Sequence, residues 1–451
     1  MIIGSRSWVR HLPAAIQGRI AHRPNLQKML ENTGWLFADR LVRMGMGLLV
    51  GVWVARYLGP DQFGLYSYAI AFVALFGSIA TLGLNGIVVR DLVKNPEEAT
   101  TTIGTAFVLQ LIGGLLVFVI AIIAIGFVRP DEALVRLMVA VLGFVTVFKA
   151  TEVIKYWFES QIRSKHTVLI ENAAFLLFAA VKVALITFKA PLIAFVWIVL
   201  AEAVLVAVCM LYMYMKRVSH LRAWKFSGGR ARELIGDSWP YILSGVAVML
   251  YMRIDQIMLG QMLGNKSVGI YSVAVRLSEV WYFIPVAIVS TLFPAIIDAK
   301  KQGEGVYRQR LQELYDLMAA LGISVAVFVS FFSNWIVNSL FGSDYEQAGR
   351  LLSINTWAGV FVFLGLANGK NLLLQGLARF SFYFTLACAL LNITLNYILI
   401  PRYGVIGSAF ATLLSQMFGV VINFFPKLTR PTFWAQIRAI FFWRLLKGAL
   451  K

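Results

Sequence analysis

The sequence is poor in the residues that build water-facing surfaces. Only 14% of its 451 residues are charged and 59% are hydrophobic. An ordinary soluble domain has about 25% charged residues. Acidic residues are especially few, with 22 Asp and Glu against 41 Lys and Arg. So little charge excludes a soluble globular protein and indicates an integral membrane protein.

Cysteine and histidine are also scarce, with two and four copies. Cys209 and Cys388 both fall in apolar segments, and no two histidines have the spacing of metal ligands. The sequence contains no phosphate-loop, serine-hydrolase or zinc-peptidase motif. We therefore expect no cofactor and no enzyme activity. Coupling to a proton or sodium gradient is the candidate energy source for a transporter.

Long apolar runs dominate what is present. A membrane helix needs about 20 largely apolar residues to cross roughly 30 Å of hydrocarbon. These runs lack the alternation of barrel strands, so they predict an all-α fold. About twelve transmembrane helices are predicted, at residues 34–56, 64–89, 103–128, 133–158, 167–188, 191–215, 236–263, 268–297, 311–340, 347–374, 379–400 and 403–425.

The basic residues indicate the orientation. Placing residues 1–33 in the cytoplasm puts most lysines and arginines in cytoplasmic segments and few in the outer joints. The positive-inside rule then predicts that both termini are cytoplasmic. Positive charge spread over many such segments argues against nucleic acid as a partner.

A short repeat suggests a duplicated architecture. The stretch LGPDQFGLYSYA at 58–69 returns as LGNKSVGIYSVA at 263–274, at a constant offset. Both copies join an odd-numbered predicted helix to the next one on the outer side, where we expect Tyr66 and Tyr271 to lie at the membrane interface. We predict two six-helix lobes related by a parallel repeat, the plan of many transporters. A duplicated bundle with no transport role is the alternative.

The predicted organisation has five parts. They are a basic cytoplasmic segment (1–33), an N-lobe (34–215), a cytoplasmic linker (216–235), a C-lobe (236–425) and a basic interfacial C-terminal helix (426–451).

Two longer segments resemble a known family. They are WVARYLGPDQFGLYSYAIAFVALFGSIATLGLNGIVVRDLVKNPEE at 53–98 and LNITLNYILIPRYGVIGSAFATLLSQ at 391–416. Both are similar to the Wzx-type O-antigen and polysaccharide flippases of the multidrug/oligosaccharidyl-lipid/polysaccharide exporter superfamily. The resemblance implies a secondary transporter with a V-shaped central cavity. It would move undecaprenyl-diphosphate-linked oligosaccharide units from the cytoplasmic to the periplasmic leaflet by alternating access, for O-antigen, capsule or exopolysaccharide assembly.

The resemblance also implies a setting and partners. We expect a monomer in the bacterial inner membrane, in contact with the bilayer and the lipid-linked oligosaccharide. A polymerase and a chain-length regulator of the same pathway are candidate protein partners.

Two other classes of protein stay open. A multidrug or toxin cation exporter shares the two-lobe plan, but it needs an acidic cavity, whereas the charge within the predicted helices is balanced or basic. A membrane glycosyltransferase or polymerase needs a large outer loop with catalytic residues, and the outer joints are short.

Ionisable residues within the predicted helices are the candidate site residues, because a charge in a membrane is costly unless it faces a cavity or a partner. A diphosphate needs cations, and the arginine fork grips phosphate oxygens in pairs. The substrate-binding candidates are Arg40, Arg43, Lys149, Arg253, Arg276 and Lys370, of which Arg253 and Arg276 lie deepest. The ion-coupling candidates are Glu152, Asp255 and Glu279.

Structural roles compete with these assignments. Arg40 and Arg43 lie near a helix end and can extend to lipid phosphates. Lys149, Glu152, Lys155 and Glu159 follow at three- and four-residue spacing, which favours ion pairs along one helix. Asn392 and Asn396 are expected to hydrogen-bond a neighbouring helix rather than a sugar.

Overall fold

The computed structural model describes residues 24–441, with side chains from residue 34 onward except those of residues 36–38 and 378. Residues 1–23 of the predicted N-terminal segment and 442–451 of the predicted C-terminal helix lie outside the described part. Within that part every regular element is helical. The predicted all-α fold is confirmed.

Sixteen α-helices follow one another in the described residues. They are α1 (Pro24–Ala74), α2 (Gly77–Thr81), α3 (Asn85–Lys94), α4 (Ala99–Val128), α5 (Ala133–Phe148), α6 (Glu152–Ser160), α7 (Lys165–Thr187), α8 (Leu192–Arg217), α9 (Gly228–Met262), α10 (Asn265–Glu279), α11 (Phe283–Gln302), α12 (Glu304–Phe341), α13 (Gln347–Leu374), α14 (Ala378–Tyr403), α15 (Val405–Val421) and α16 (Arg430–Ile440).

Eleven helical segments of the described chain are long and apolar enough to cross a membrane. The protein is therefore a multi-pass membrane protein. These segments are Asp39–Ala74, Pro96–Val128, Ala133–Ser160, Lys165–Thr187, Leu192–Arg217, Gly228–Met262, Asn265–Gln302, Glu304–Phe341, Gln347–Leu374, Arg379–Tyr403 and Val405–Phe424.

The helix predicted at 64–89 accounts for the difference from twelve. The described chain turns after Ala74 and again between α2 and α3, where Leu82 and Gly83 have φ of 51° and 59°. A positive φ interrupts the helical hydrogen-bond ladder, so this stretch is divided among the end of α1, α2 and the start of α3. Upstream, α1 changes direction at Gly59, whose φ of 70° suits glycine. The count of twelve helices and the repeat stay predictions.

The contacts between residues define two compact units. The first contains the described residues up to Val50, Ile79–Ala124 and Ala140–Pro240. The second contains Gly51–Ser78, Ile125–Val139 and the described residues from Tyr241 onward. These units group the chain by contact, and the lobes at 34–215 and 236–425 stay a separate prediction.

The first unit has an aromatic core beside α3, α4, α6 and α8. Trp224 lies against Phe107 and Tyr214, with ring centroids 5.1 Å and 5.2 Å apart. Close helix packing supports this core, since a Cβ at Gly114 would lie 2.6 Å from the carbonyl oxygen of Thr146. Small residues of this kind let membrane helices approach each other closely, because in lipid no hydrophobic effect drives them together.

In the second unit, polar bonds attach the C-terminal helix α16 to the bundle. Asn371 of α13 donates to Thr432 Oγ1 at 3.2 Å, and Gln312 of α12 donates to the Ala435 carbonyl at 2.9 Å. Helix α16 is thus fixed against α12 and α13. The interfacial role predicted for residues 426–451 stays a prediction.

Candidate functional site

Asp255 lies at the centre of a polar cluster inside the second unit. It is carried by α9 and is 4% exposed. Its Oδ1 accepts a hydrogen bond from Asn396 Nδ2 of α14 at 2.6 Å. Its Oδ2 accepts from the Tyr271 hydroxyl of α10 at 2.7 Å and from Thr412 Oγ1 of α15 at 2.6 Å. Four helices therefore meet at one carboxylate.

The cluster also contains oxygen atoms without a hydrogen-bond partner among the described residues. Asn396 Oδ1 and Ser408 Oγ are buried and unpaired. Asn392 donates to Ser415 at 3.4 Å, and the Asn396 amide also donates to the Asn392 side-chain oxygen at 3.0 Å. These contacts confirm that Asn392 and Asn396 bond neighbouring helices.

Tyr271 departs from its expected place. It is 1% exposed and binds Asp255, so it lies inside the protein rather than at a lipid interface. Tyr66, its counterpart in the repeat, is buried as well. The expectation placing both tyrosines at the membrane interface is wrong, since both are buried in the protein. For Tyr271 the reason is a charge-assisted hydrogen bond to a buried carboxylate.

Two candidate residues pair with each other. Arg253 of α9 and Glu279 of α10 approach with Nη1 to Oε1 at 3.4 Å and Nη2 to Oε2 at 3.5 Å. Each side chain is about a quarter exposed. The distances are longer than those of a tight bidentate pair, which are about 2.7–2.9 Å.

Arg276 is in a different environment. Its guanidinium lies on the backbone of α1, where a Cβ at Gly51 would overlap Nη1, and it lies 5.5 Å from the ring centroid of Phe63. No carboxylate of the described residues forms an ion pair with it. Of the two deepest arginine candidates, Arg276 is therefore the one that forms no ion pair of its own among the described residues.

In the first unit, Arg43 belongs to a network across helices. It pairs with Asp39 at 2.7 Å and with Glu171 of α7 at 3.3 Å. Glu171 also pairs with Lys155 at 3.2 Å. Arg40, one turn away from the network, is exposed.

The predicted ion pairs along residues 149–159 are not formed among the described side chains. Lys155 pairs instead with Glu171, because α7 brings that carboxylate close. Lys149 lies in a short 3-10 turn between α5 and α6, and Glu152 accepts a hydrogen bond from the Tyr156 hydroxyl at 3.3 Å.

Lys370, the remaining candidate, is exposed on α13, and its Nζ lies 5.7 Å from the ring centroid of Phe293. The structure thus brings Arg253 together with Glu279, but it does not gather all the candidates at one place within either unit. Their roles stay predictions.

The two repeat segments pack against each other reciprocally, through the helix starts that follow Gly59 and Gly264. A Cβ at Gly64 would overlap the backbone oxygen of Asn265, and a Cβ at Gly269 would overlap that of Pro60. Gly64 and Gly269 occupy equivalent positions of the repeat, and so do Pro60 and Asn265. The contact therefore has local two-fold symmetry, which only glycine permits at this distance.

Arg129, which follows α4 and was not among the predicted site residues, stabilises this contact. It is 6% exposed, and its guanidinium donates to the Gly260 carbonyl at 2.7 Å and to Asn265 Oδ1 at 2.9 Å. It also lies over the ring of Tyr68 at 4.0 Å. The local sequence RPDE at 129–132 gives no signal that Arg129 is buried, since Asp131 and Glu132 are exposed.

A second cluster missed from the sequence joins α3 to the start of α9. Buried Asp91 pairs with Arg90 and Arg230, both at 2.7 Å, and Arg90 pairs with Asp237 at 2.6 Å. Hydrogen bonds to these two carboxylates raise the pKa of Arg90 above its ordinary value. Arg230 and Asp237 lie about 140 residues or more from Arg90 and Asp91, so no local pattern indicates the cluster.

The chain was compared with protein-family models. The model described as polysaccharide biosynthesis protein matches residues 29–300, which is more than half of the chain. The chain belongs to this polysaccharide biosynthesis protein family. The MatE model also matches, at residues 240–398. The resemblance to polysaccharide flippases predicted from residues 53–98 and 391–416 is confirmed.

One relative of this chain is named as a flippase. The "Probable low-salt glycan biosynthesis flippase Agl15" of Haloferax volcanii is 23% identical over 397 residues, covering 86% of this chain and 81% of the relative.

Two solved structures share the fold of this family member. A multidrug resistance MATE family transporter of the MOP superfamily, facing inward, has a TM-score of 0.72 at 13% identity, covering 90% of this chain and 98% of its own. The lipid II flippase MurJ, in an inward closed conformation, has a TM-score of 0.67 at 14% identity, covering 93% of each chain. At such low identity these structures show the fold alone.

Proposed function

We propose that this protein is a flippase for lipid-linked oligosaccharides. It moves undecaprenyl-diphosphate-linked repeat units from the cytoplasmic to the periplasmic leaflet, and it performs no covalent chemistry. Membership of the polysaccharide biosynthesis family and the glycan flippase name of the Haloferax relative support this function. The carrier lipid comes from the resemblance to the O-antigen flippases.

The observation that carries the proposal is the environment of Arg276. A diphosphate entering a low-dielectric site needs a cation that is already in place, because a buried phosphate without a partner is prohibitively costly. A cation neutralised by a carboxylate meets this need poorly. Arg276 forms no ion pair with a described carboxylate and rests on Gly51 and Phe63, which leaves its positive charge for an anionic ligand.

The other cations have supporting roles in this proposal. Arg253 exchanges Glu279 for phosphate oxygens when the cargo is bound, and their spacing of 3.4 Å and more favours such an exchange. Arg43 sits between Asp39 and Glu171, so it attracts the head group only if one of these pairs opens. Arg40, Lys149 and Lys370 stay candidates for guiding the anion.

Asp255 is the proposed coupling group. A carboxylate holding three hydrogen bonds beside unpaired buried oxygens of Asn396 and Ser408 suits a proton or a sodium ion, since hard oxygen ligands favour small hard cations. Glu279 and Glu152 are weaker candidates. The first faces Arg253, and the second accepts only a tyrosine hydroxyl among its described contacts.

The cellular setting belongs to the proposal as well. The basic segments support a place in the bacterial inner membrane with both termini in the cytoplasm. We propose that the protein acts as a monomer by alternating access between the two predicted lobes. A polymerase and a chain-length regulator of the same pathway are its proposed protein partners.

Replacement of Arg276 tests the function. Arg276→Ala should abolish surface polysaccharide and leave the lipid-linked oligosaccharide in the cytoplasmic leaflet. Arg276→Lys should keep part of the activity, since the charge survives but the bidentate fork does not. The measurement is a leaflet-specific flipping assay in vesicles at matched protein level.

Arg310→Ala is the matched control, because Arg310 is exposed and pairs with Glu313 on the surface of α12. It should flip at the wild-type rate. A stable, membrane-inserted Arg276→Ala protein with wild-type flipping would remove Arg276 from the mechanism.

A multidrug exporter is the second candidate function, favoured by the MatE match at residues 240–398. It predicts that cells lacking the protein become sensitive to organic cations and keep their surface polysaccharide. The flippase function predicts the opposite: cells lacking the protein lose their surface polysaccharide and do not become sensitive to organic cations.

A further inference from the structure

A cleft of about 1130 Å³ opens in the second unit beside the C-terminal helix. Its walls come from α16 and from the neighbouring ends of α11, α12 and α13. Three cationic side chains line it, Lys300, Arg308 and Arg438, against one acidic side chain, Glu304. The described lining therefore has a net positive charge.

The cleft is held in shape by hydrogen bonds. On its floor the Tyr307 hydroxyl bonds to Asn371, and Asn371 donates to Thr432 of α16. Gln312 donates to the backbone of α16 at Ala435. Because these bonds fix α16 against α12 and α13, the cleft belongs to the packed structure.

Two of the cations have no carboxylate partner in the described chain. Arg308 Nε pairs with Glu304 at 2.9 Å. Lys300 Nζ donates only to a backbone carbonyl, that of Leu374, at 2.7 Å. Arg438 is exposed on α16 and forms no ion pair with a described residue. Lys300 and Arg438 therefore carry uncompensated charge.

Large apolar side chains line the same cleft beside these cations. Leu428, Trp434 and Phe441 are 64%, 49% and 63% exposed. Tryptophan is enriched where membrane proteins meet the lipid head groups. Cations next to exposed apolar groups suit an amphiphile, whose phosphate contacts the cations while its chains cover the apolar wall.

The remaining sequence does not supply such an occupant. Residues 1–23 and 442–451 contain arginines and lysines but no aspartate or glutamate, so they would add like charge. A soluble anion would leave the apolar wall uncovered. We propose that this cleft binds the head group of an anionic membrane phospholipid, as basic pockets at membrane surfaces do. The site is independent of the proposed flipping.

Lipid binding by the purified full-length protein tests the proposal. Native mass spectrometry in neutral detergent measures the affinity for phosphatidylglycerol and, separately, for phosphatidylcholine. Wild type should prefer phosphatidylglycerol. The variant Lys300→Gln/Arg438→Gln should bind it about 30-fold more weakly, equivalent to about 2 kcal/mol at about 1 kcal/mol per cation. Its affinity for phosphatidylcholine should not change.

The matched control is Lys301→Gln/Arg310→Gln. It removes the same amount of charge from α11 and α12 but outside the cleft, where Lys301 pairs with Asp298 and Arg310 with Glu313. It should bind phosphatidylglycerol as wild type does. If the first double variant does not fold, exposed Arg438→Gln alone should weaken binding about five-fold.

Three outcomes would overturn the proposal. Equal affinities in both double variants would show that net charge, not the cleft, governs binding. Inorganic phosphate displacing phosphatidylglycerol at equal concentration would assign the site to a free anion. Displacement by an equal concentration of polyprenyl diphosphate would assign it to the transported cargo.

Discussion

At the scale of single residues, the described chain stabilises intramembrane charge in three different ways. Arg43 and Lys155 share the carboxylate of Glu171 across helices. Asp255 is surrounded by hydroxyl and amide donors. Arg276 rests on backbone and an aromatic ring. Only the last two charges form no ion pair within the described chain, and an ion or anion site needs a charge that is not already paired.

The sequence identified which residues are unusual but not what they contact. An ionisable residue in an apolar run is visible from composition alone, so Asp255 and Arg276 were predicted candidates. The partners of Asp255 lie 16, 141 and 157 positions away, and no local pattern encodes such distances. Arg129 was missed for a related reason, because its binding partners are set by the packing of distant turns.

Asp255→Asn should uncouple transport from its driving ion. The amide cannot release a proton and is a poorer sodium ligand, so flipping should lose its response to an imposed gradient. It also places an NH₂ group against donors, which costs about 1–3 kcal/mol of folding stability. The measurement is flipping in vesicles under separate proton and sodium gradients, together with thermal stability.

Asp298→Asn is the control for this change, since Asp298 is exposed and pairs with Lys301. It should keep the gradient response. An Asp255→Asn protein that still responds to both gradients would transfer the coupling role to another acidic residue.

At the scale of elements, the repeated turns are the best-defined feature. The matching letters at 58–69 and 263–274 predicted glycine turns, and the structure adds that each glycine faces the backbone oxygen of the other turn. The break within predicted helix 64–89 could not be predicted in this way. An apolar run marks a membrane segment, whereas leucine has no preference for the positive φ that Leu82 adopts.

Gly64→Ala and Gly269→Ala should each push the two turns apart. The added methyl group meets backbone, which cannot rotate away, so each change should cost about 1–3 kcal/mol of folding stability. Both act on one contact, so the double variant should cost less than the sum. The measurements are the thermal unfolding midpoint and the maleimide reactivity of a cysteine introduced in place of Lys266.

Gly126→Ala provides the control, because its Cβ would meet no atom within 4 Å. It should leave the thermal midpoint and the reactivity at position 266 unchanged. Strict additivity of Gly64→Ala and Gly269→Ala would contradict a shared contact.

At the scale of the whole molecule, composition was enough to predict the fold class, because only helices and closed barrels can span a lipid bilayer. A chain this apolar must satisfy its backbone polar groups internally, and long uninterrupted runs do so as helices. The compact units, in contrast, cut through α1, α2, α4, α5 and α9, and no composition change marks those boundaries. The predicted lobes come from the repeat in the sequence, whereas the compact units come from contacts in the fold.

The predicted topology places Lys266 and Asp344 outside and Lys225 inside. All three side chains are exposed, so a cysteine at any of them is open to a reagent on its own side of the membrane. In a background lacking Cys209 and Cys388, a membrane-impermeant maleimide applied to intact cells should label positions 266 and 344. Position 225 should react only after permeabilisation, and Arg222→Cys, exposed in the same linker, should behave identically. Labelling of position 225 in sealed cells would show that the orientation is the reverse of the predicted one.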